Sequence, residues 1–238
     1  FKVVSIATPH VMDFGAEALE DTITSLGWYQ VKTVGAGLTP EAASEPAWVD
    51  VKTAKVAFLA YAHGDAFARD SAGVISRAVY SEMIEAVKRV AQGADLIVVS
   101  IYWGKARQTE AVSERQRFFA HGLIDAGADV VLCQRLHTWQ GTELYRGKPV
   151  IYSLADFIYE TYDKQYSKVV LPKVTFADRA LKSIELIPIW VDNPDAKYQP
   201  QVLSGEGAQE ALANYRKLCA ELGTQVTITD ERGWIKPE

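Results

Sequence analysis

Cysteine is scarce. The two thiols, Cys133 and Cys219, lie far apart in a chain of 238 residues. They form no CxxC pair and no zinc ribbon, and they read as free thiols. Long apolar runs are missing too. The longest, such as residues 96–101, are strand-sized and fall well short of the roughly 20 residues of a membrane span. Positive charge is not in excess, because 25 Lys and Arg face 30 Asp and Glu and leave a net charge of −5. No nucleic-acid footprint is therefore expected. No signal peptide is visible, since Phe1-Lys2-Val3-Val4-Ser5 already reads as a strand. Internal repeats, low-complexity tracts and linkers are also lacking.

What is present is ample material for a core. Of the residues, 48% are apolar and 23% charged, as in an ordinary soluble globular protein. Residues 2–7 read as a short buried strand that ends at Pro9, which cannot join a ladder. A helix is expected over 16–26, with Ala18, Leu19, Ile23 and Leu26 on one stripe and Gly27 closing it. Strands are expected at 30–34, 48–51 and 55–61, then a helix at 81–91. Residues 95–101 form a near-continuous apolar strand, the pattern of a strand covered on both faces. A helix over 109–126 stops at Gly127. Strands follow at 130–132, 143–145 and 150–154. Two long strands, 168–176 and 183–191, pair around Asp178-Arg179, before a helix over 207–223 and a last strand at 225–229. This order predicts a layered α/β sandwich with mixed sheets and flanking helices, in a single domain over residues 1–238.

The chemistry-bearing residues gather where strands stop. One strand ends on Thr8-Pro9-His10 with Asp13, and another on His63-Gly64-Asp65. A third ends on Tyr102-Trp103-Gly104, a fourth on Cys133-Gln134-Arg135-Leu136-His137, and a fifth on Ala155-Asp156-Phe157. An open α/β sheet presents its ligand site at the carboxyl ends of its strands. If these strands share a sheet, their ends line one crevice. The remaining histidine, His121, sits mid-helix and reads as structural. His10 and His137, with Asp13, suit acid–base work, since imidazole titrates near neutral pH. Cys133 suits a nucleophile if Arg135 or His137 stabilises its thiolate. Arg135 suits a bidentate grip on a carboxylate or phosphate. Tyr102, Trp103, Gln134, Asp156 and His63 are expected to bind or position substrate. Each has a plainer reading beside this one. Cys133 would be a small buried hydrophobe, Arg135 a salt-bridge partner, His10 a backbone cap, Asp13 a helix N-cap, and the aromatics core.

Several motifs in register resemble the CapA family of poly-γ-glutamate capsule biosynthesis proteins. Residues 5–15, Ser-Ile-Ala-Thr-Pro-His-Val-Met-Asp-Phe-Gly, are similar to the family's Ser-Leu-Ala-Asn-Asn-His-x-x-Asp-x-Gly. Gly35-Ala36-Gly37 resembles its Gly-Ala-Gly, and residues 56–61 its central strand. Ser100-Ile101-Tyr102-Trp103-Gly104 resembles its Ser-x-His-Trp-Gly-x-Glu. Residues 147–157 resemble its Gly-Lys-Pro-x-x-Tyr-Ser-Leu-Gly-Asn-Phe. The resemblance implies a fold like that of the calcineurin-type metallophosphatases. It also implies a bacterial protein of the cell envelope or extracellular space.

The departures bear on chemistry. The family's N-terminal strand–helix segment, with its Gly-Asp motif, has no counterpart in these residues. The resemblance therefore implies, as partners, a separate N-terminal segment or other capsule-synthesis subunits. Pro9 replaces the second Asn, Tyr102 replaces the His before Trp-Gly, and Ala106 replaces the Glu after it. The family's Gly-His-His-Pro-His run becomes Cys133 to His137 and keeps only the last His. Asp156 replaces an Asn. Proline and alanine offer no donor and arginine repels a divalent ion. No metal ligands are assigned, although a single weak ion on His10, Asp13 and His137 stays open, so the cofactor is unknown and a divalent metal is disfavoured. The resulting expectation is a derived hydrolase acting with little or no metal on an anionic or amide/ester-containing polymer or metabolite. Its ligand would be an anionic polymer or a small carboxylate or phosphate. The alternative is a non-catalytic binding or scaffold protein of capsule synthesis that uses Lys105, Arg107 and Arg135, with Trp103, Trp139 and Tyr159 along its groove.

Overall fold

The expected alternation of strand and helix is present in the computed structural model, which describes residues 1–63, 75–103, 111–134, 139–158, 167–191 and 198–237. The chain divides into two compact units: Phe1–Lys105 with Phe118–Cys133, and Ala106–Arg117 with Gln134–Glu238.

In the first unit, β1 (Val3–Ser5) and β2 (Lys32–Val34) pair in parallel, with Val4 opposite Thr33. Parallel neighbours need a crossover, and α1 (Gly15–Trp28) supplies it. Leu19 of this helix is buried against Ile6 and Ala36, with Val11, Met12 and Ile23 packed beside them. A short helix, α2 (Pro40–Ser44), starts where the Thr39 hydroxyl accepts from the Ala42 N–H at 3.1 Å. Strand β3 (Ala47–Val51) runs antiparallel to β4 (Ala54–Ala62), and β4 runs parallel to β5 (Leu96–Tyr102). Between β4 and β5, α3 (Tyr80–Val90) buries Met83, Ala86, Val87 and Val90. Strand β6 (Val130–Gln134) lies next to β5 and follows α4 (Glu114–Ala126).

Two identical tripeptides set the register of these strands. Gly93-Ala94-Asp95 leads into β5 and Gly127-Ala128-Asp129 into β6. The Asp95 N–H donates to the Lys55 carbonyl at 2.8 Å, and its carboxylate accepts from the Lys55 N–H at 2.7 Å. Asp129 repeats the arrangement on Ile97, at 2.8 Å for both bonds. One residue thus satisfies both backbone groups of a neighbour at the sheet end, where they would otherwise need other partners. The recurrence is too short to read as a repeat, yet it locks where each strand begins. Strands β4 and β5 then finish side by side, with Ala62 opposite Tyr102. The β1–β2 layer approaches β4 at Gly35, which has φ +92°. A Cβ there would lie 2.6 Å from the Ala7 Cβ and 2.8 Å from the Ala60 Cβ.

The second unit is mostly antiparallel, as expected. Strands β7 (Gln140–Tyr145) and β8 (Lys148–Ser153) form a hairpin around Arg146 and Gly147, both at positive φ. Strands β9 (Lys168–Ala177) and β10 (Ala180–Trp190) form another around Asp178 and Arg179, at φ 49° and 65°. Tight two-residue hairpin loops favour left-handed positions because the turn must follow the strand twist. The sheet runs β11 (Gln201–Val202), β10, β13 (Arg232–Ile235), β12 (Thr227–Thr229), with β9 also on β10. Helix α5 (Gly205–Glu221) buries Leu212, Tyr215 and Cys219 against Ile184, Leu186 and Ile235.

Three elements differ from the expectation. Strand β7 begins at Gln140 rather than at 143. Its first residues are polar, but Gln140 and Thr142 are fully buried and Gly141 lies against the α5 backbone. Helix α4 starts at Glu114 because Ser113 and Gln116 close a capping box: the Ser113 hydroxyl accepts from the Gln116 N–H at 3.2 Å, and the Gln116 side-chain oxygen accepts from the Ser113 N–H at 3.0 Å. The last strand expected at 225–229 is followed by a further one, β13, after a turn at Asp230 and Glu231.

Candidate functional site

The turn after β1 pairs His10 with Asp13. The His10 Nδ1 lies 2.9 Å from the Asp13 Oδ2, and the two side chains are 73% and 52% exposed. A carboxylate only accepts, so a neutral His10 donates from Nδ1 and keeps the lone pair on Nε2. Asp13 was a candidate N-cap for α1, but Phe14 occupies that position and makes no side-chain cap bond. The pair is solvated, so its contribution to stability is under about 1 kcal/mol and its value is orientation. Its turn is anchored by Val11, which packs on the small-residue cluster Ala7, Val34, Ala47, Ala60, Ala62 and Ile75. Tyr102, at the end of β5, packs against the same cluster. The ends of β1, β4 and β5 thus stand over one core.

At the end of β4, the His63 N–H donates to the Tyr102 carbonyl at 2.7 Å. The His63 ring is held among aromatics, 5.3 Å from the Trp103 ring centroid and 6.0 Å, edge-on, from that of Phe119. Trp103 and Phe119 meet at 5.5 Å. Trp103 is only 5% exposed, so it supports His63 instead of forming an open groove wall. Phe119, on α4, was not singled out in the sequence, because nothing in helix periodicity separates a ring that orients an imidazole from one that fills core. Tyr102 and His63 are half-buried.

Cys133 is fully buried. Burial pushes its thiol from the ordinary 9.0 up to about 12, and a hydrogen bond with the Trp103 side chain offsets little of that. A thiol so held is not a nucleophile at neutral pH, and Cys133 is set aside from the reactive groups. Cys219 is pushed up to about 12 by the same cause, with a smaller opposing effect from the Thr142 backbone. A group whose pKa rises on folding contributes stability fully below its unfolded value and loses it as pH climbs through the folded one. Between about pH 9 and 12, each thiol should therefore lower unfolding free energy by about 1.4 kcal/mol per pH unit. Urea titrations at stepped alkaline pH should show a shallower fall for Cys133→Ala and for Cys219→Ala than for the wild type. Equal slopes would show that these thiols are not protected.

In the second unit, Gln134 and Asp156 are half-buried. Asp156 follows Ala155, which sits at φ 53° where the resembling family has glycine. The left-handed conformation costs an alanine about 1 kcal/mol. The Ala155 methyl recovers part of this by packing on the cluster Val169, Ile189 and Val191. Trp139 is packed on the core, its ring 6.0 Å from that of Tyr215, so it too is core rather than groove. A polar cluster not foreseen in the sequence surrounds Glu143, which accepts from the Tyr152 hydroxyl at 2.5 Å with Arg117 at 4.0 Å. Lys105, Arg107, Arg135, His137 and Tyr159 lie outside the described residues.

Among the described residues, no three His, Cys, Asp or Glu side chains converge to hold a metal ion. Among the described residues, the His10–Asp13 pair supplies fewer donors than the several that a dinuclear hydrolytic centre uses. Among the described residues, no helix is long and apolar enough to cross a membrane.

Several sheets with flanking helices define a mixed α/β protein. Residues 1–161 match the family Bacterial capsule synthesis protein PGA_cap, and the chain belongs to it. The chain is 29% identical over 167 residues to the PGA biosynthesis protein CapA of Bacillus subtilis (strain 168), covering 67% of this chain and 43% of that protein. It is 26% identical over 204 residues to the capsule biosynthesis protein CapA of Bacillus anthracis, covering 83% and 49%. It thus spans about half the length of these relatives. A crystal structure of a hypothetical protein from Thermus thermophilus is also similar, with a TM-score of 0.49 and 12% identity over 78% of this chain and 74% of that one.

Proposed function

We propose that this capsule-synthesis family member hydrolyses an amide or ester bond in an anionic polymer of the γ-glutamate kind, using side-chain acid–base chemistry. The observation that carries the reading is the His10–Asp13 pair, 2.9 Å apart on the core that also seats Tyr102. Asp13 holds the Nδ1–H, and Nε2 takes a proton from water as the water oxygen adds to the carbonyl carbon. When the C–N bond breaks, Nε2 returns that proton to the leaving amine. Arg135 is the proposed grip on a substrate carboxylate, and His137 the second acid–base group.

The burial of Cys133 supports a second reading. It removes the thiol placed at a strand end, which favours a binding or scaffold role that keeps the fold without turnover. A panel of γ-glutamyl amides, phosphoesters and glycosides separates the two. Under the hydrolytic reading, His10→Ala and Asp13→Asn lower turnover of the γ-glutamyl amide by roughly 100-fold or more. Unchanged turnover in both variants would discard the pair as catalytic. Absence of turnover, together with γ-glutamate oligomer binding that Arg135→Ala abolishes, would select the scaffold.

A further inference from the structure

Two neighbouring aromatics at the exit of α1, Trp28 and Tyr29, are 76% and 80% exposed. Trp28 lies half a turn around the helix from the buried Leu19, so the packed stripe of α1 does not cover it. The backbone beneath both rings is fixed. The Gln30 N–H donates to the Gly27 carbonyl at 2.9 Å, and the Val31 N–H to the Leu26 carbonyl at 3.0 Å. Gln30 sits between them at φ 58°. These two bonds around a left-handed residue are a Schellman closure. The rings are therefore presented outward from a rigid cap.

The same end of the first unit is basic, against the sign of the whole chain. Gly35, just after β2, lies beside Ala60 late in β4. At the other end, the Lys2 carbonyl accepts from the Lys32 N–H at 2.9 Å, and the Lys32 ammonium donates to the Trp48 carbonyl at 2.5 Å. Strands β1, β2 and β4 thus begin at the end where α1 exits. Strand β3 finishes there, with Val51 opposite Ala54. Lys2, Lys32, Lys52 and Lys55 are all exposed, and the Lys55 ammonium lies 4.5 Å over the Trp48 ring. The nearby carboxylates are Asp50 and Asp95, and that of Asp95 already accepts from the Lys55 N–H. Four lysines against two carboxylates leave +2, in a chain whose net charge is −5. The acidic side chains of α1, Glu17, Glu20 and Asp21, lie about two turns or more back along the helix.

We propose that this end of the first unit docks on an anionic lipid surface. Trp28 and Tyr29 enter the headgroup layer, and the lysines face its phosphates. Tryptophan and tyrosine join an apolar body to a polar N–H or O–H, which suits a boundary that is wet on one side only. Lysines close to an anionic membrane are attracted without a shaped pocket. The two rings together offer about 300–400 Å², well short of the roughly 800 Å² per partner of a stable protein interface. A second copy of the chain would also bring the same lysines face to face, since a two-fold contact uses one patch on both subunits. Docking in this way leaves His63 and Tyr102, at the opposite end of β4 and β5, on the side away from the lipid. The proposal does not depend on the hydrolytic reading.

Co-sedimentation with vesicles tests it. The chain should bind vesicles of phosphatidylglycerol and phosphatidylcholine in equal parts, and bind phosphatidylcholine alone about tenfold more weakly or worse. Trp28→Ala with Tyr29→Ala, and separately Lys2→Glu with Lys52→Glu, should each weaken binding to the mixed vesicles about tenfold or more. All four side chains are exposed, so these variants should melt with the wild type. If one does not, the wild type still decides, because binding must fall as salt is raised. Equal binding to both kinds of vesicle, or to neither, overturns the proposal, as does undiminished binding by either folded double variant. A concentration-dependent rise in mass that Trp28→Ala removes, without vesicle binding, would overturn it in favour of a second copy of the chain.

Discussion

Replacing Gly35 with alanine is expected to remove about 3 kcal/mol of stability, a large share of the 5–15 kcal/mol that holds a typical domain. Two independent effects add. The residue has φ +92°, outside the range an L side chain adopts without strain of order 1 kcal/mol. The new methyl would also sit 2.6 Å from the Ala7 Cβ, 2.8 Å from the Ala60 Cβ and 3.0 Å from the Ala60 carbonyl oxygen. None of these neighbours is the end of a flexible side chain, so relief must come from moving β1 or β4, and overpacking of this kind costs about 1–3 kcal/mol. Urea denaturation measures the sum. Gly15→Ala separates the parts, because Gly15 has φ +83° with nothing within 4 Å of a Cβ. It should lose only the strain, about 1 kcal/mol. Equal losses in the two variants would mean that the contact at Gly35 is absorbed without cost.

The second large effect is expected at Gly141. A Cβ there would lie 2.5 Å from the Leu218 carbonyl oxygen and 2.6 Å from its carbon, with the Cys219 nitrogen at 2.8 Å. These are backbone atoms of α5. The same approach lets the Thr142 N–H reach the Cys219 sulfur at 3.3 Å and the Thr142 hydroxyl meet the Tyr215 hydroxyl at 2.8 Å. Gly141→Ala should therefore force β7 off α5 and weaken both bonds. A loss of about 2–4 kcal/mol is expected, from overpacking and from buried polar groups left with worse partners. A thermal melt checks it, since each kcal/mol shifts the midpoint of a chain this size by roughly 2–4 °C. A midpoint unchanged within about 2 °C would show that the strand and helix can part without penalty.

The regular frame was legible because periodicity carries it. The apolar runs of β4, β5, β9 and β10, and the stripe of α3, need only local pattern to be recognised. The start of β7 was not legible. Gln140 and Thr142 look like loop residues until Ala111, Gln116, Tyr215 and Cys219 arrive from elsewhere in the chain to satisfy them. The onset of α4 was written in the Ser113-x-x-Gln116 spacing, a local signal that an apolar stripe obscures. At the candidate site, the nearness of His10 and Asp13 follows from their spacing in a turn. The state of Cys133 does not, because whether a strand-end thiol meets water depends on what covers it, and that is a tertiary fact. The same holds for Trp103 and Trp139, whose rings the fold uses internally.

The two Gly-Ala-Asp clamps, on Lys55 and Ile97, hold each strand by its first residues and leave its far end untethered by the same device. Such a frame behaves like a rack of interchangeable tools. Insertions or exchanges after Tyr102 or Gln134 change what is presented without disturbing where the strand is seated. An exchange at Tyr102, such as to histidine, would leave the clamps at the opposite end of the strand in place. The clamps thus seat the strands at the end opposite the one where His63 and Tyr102 lie.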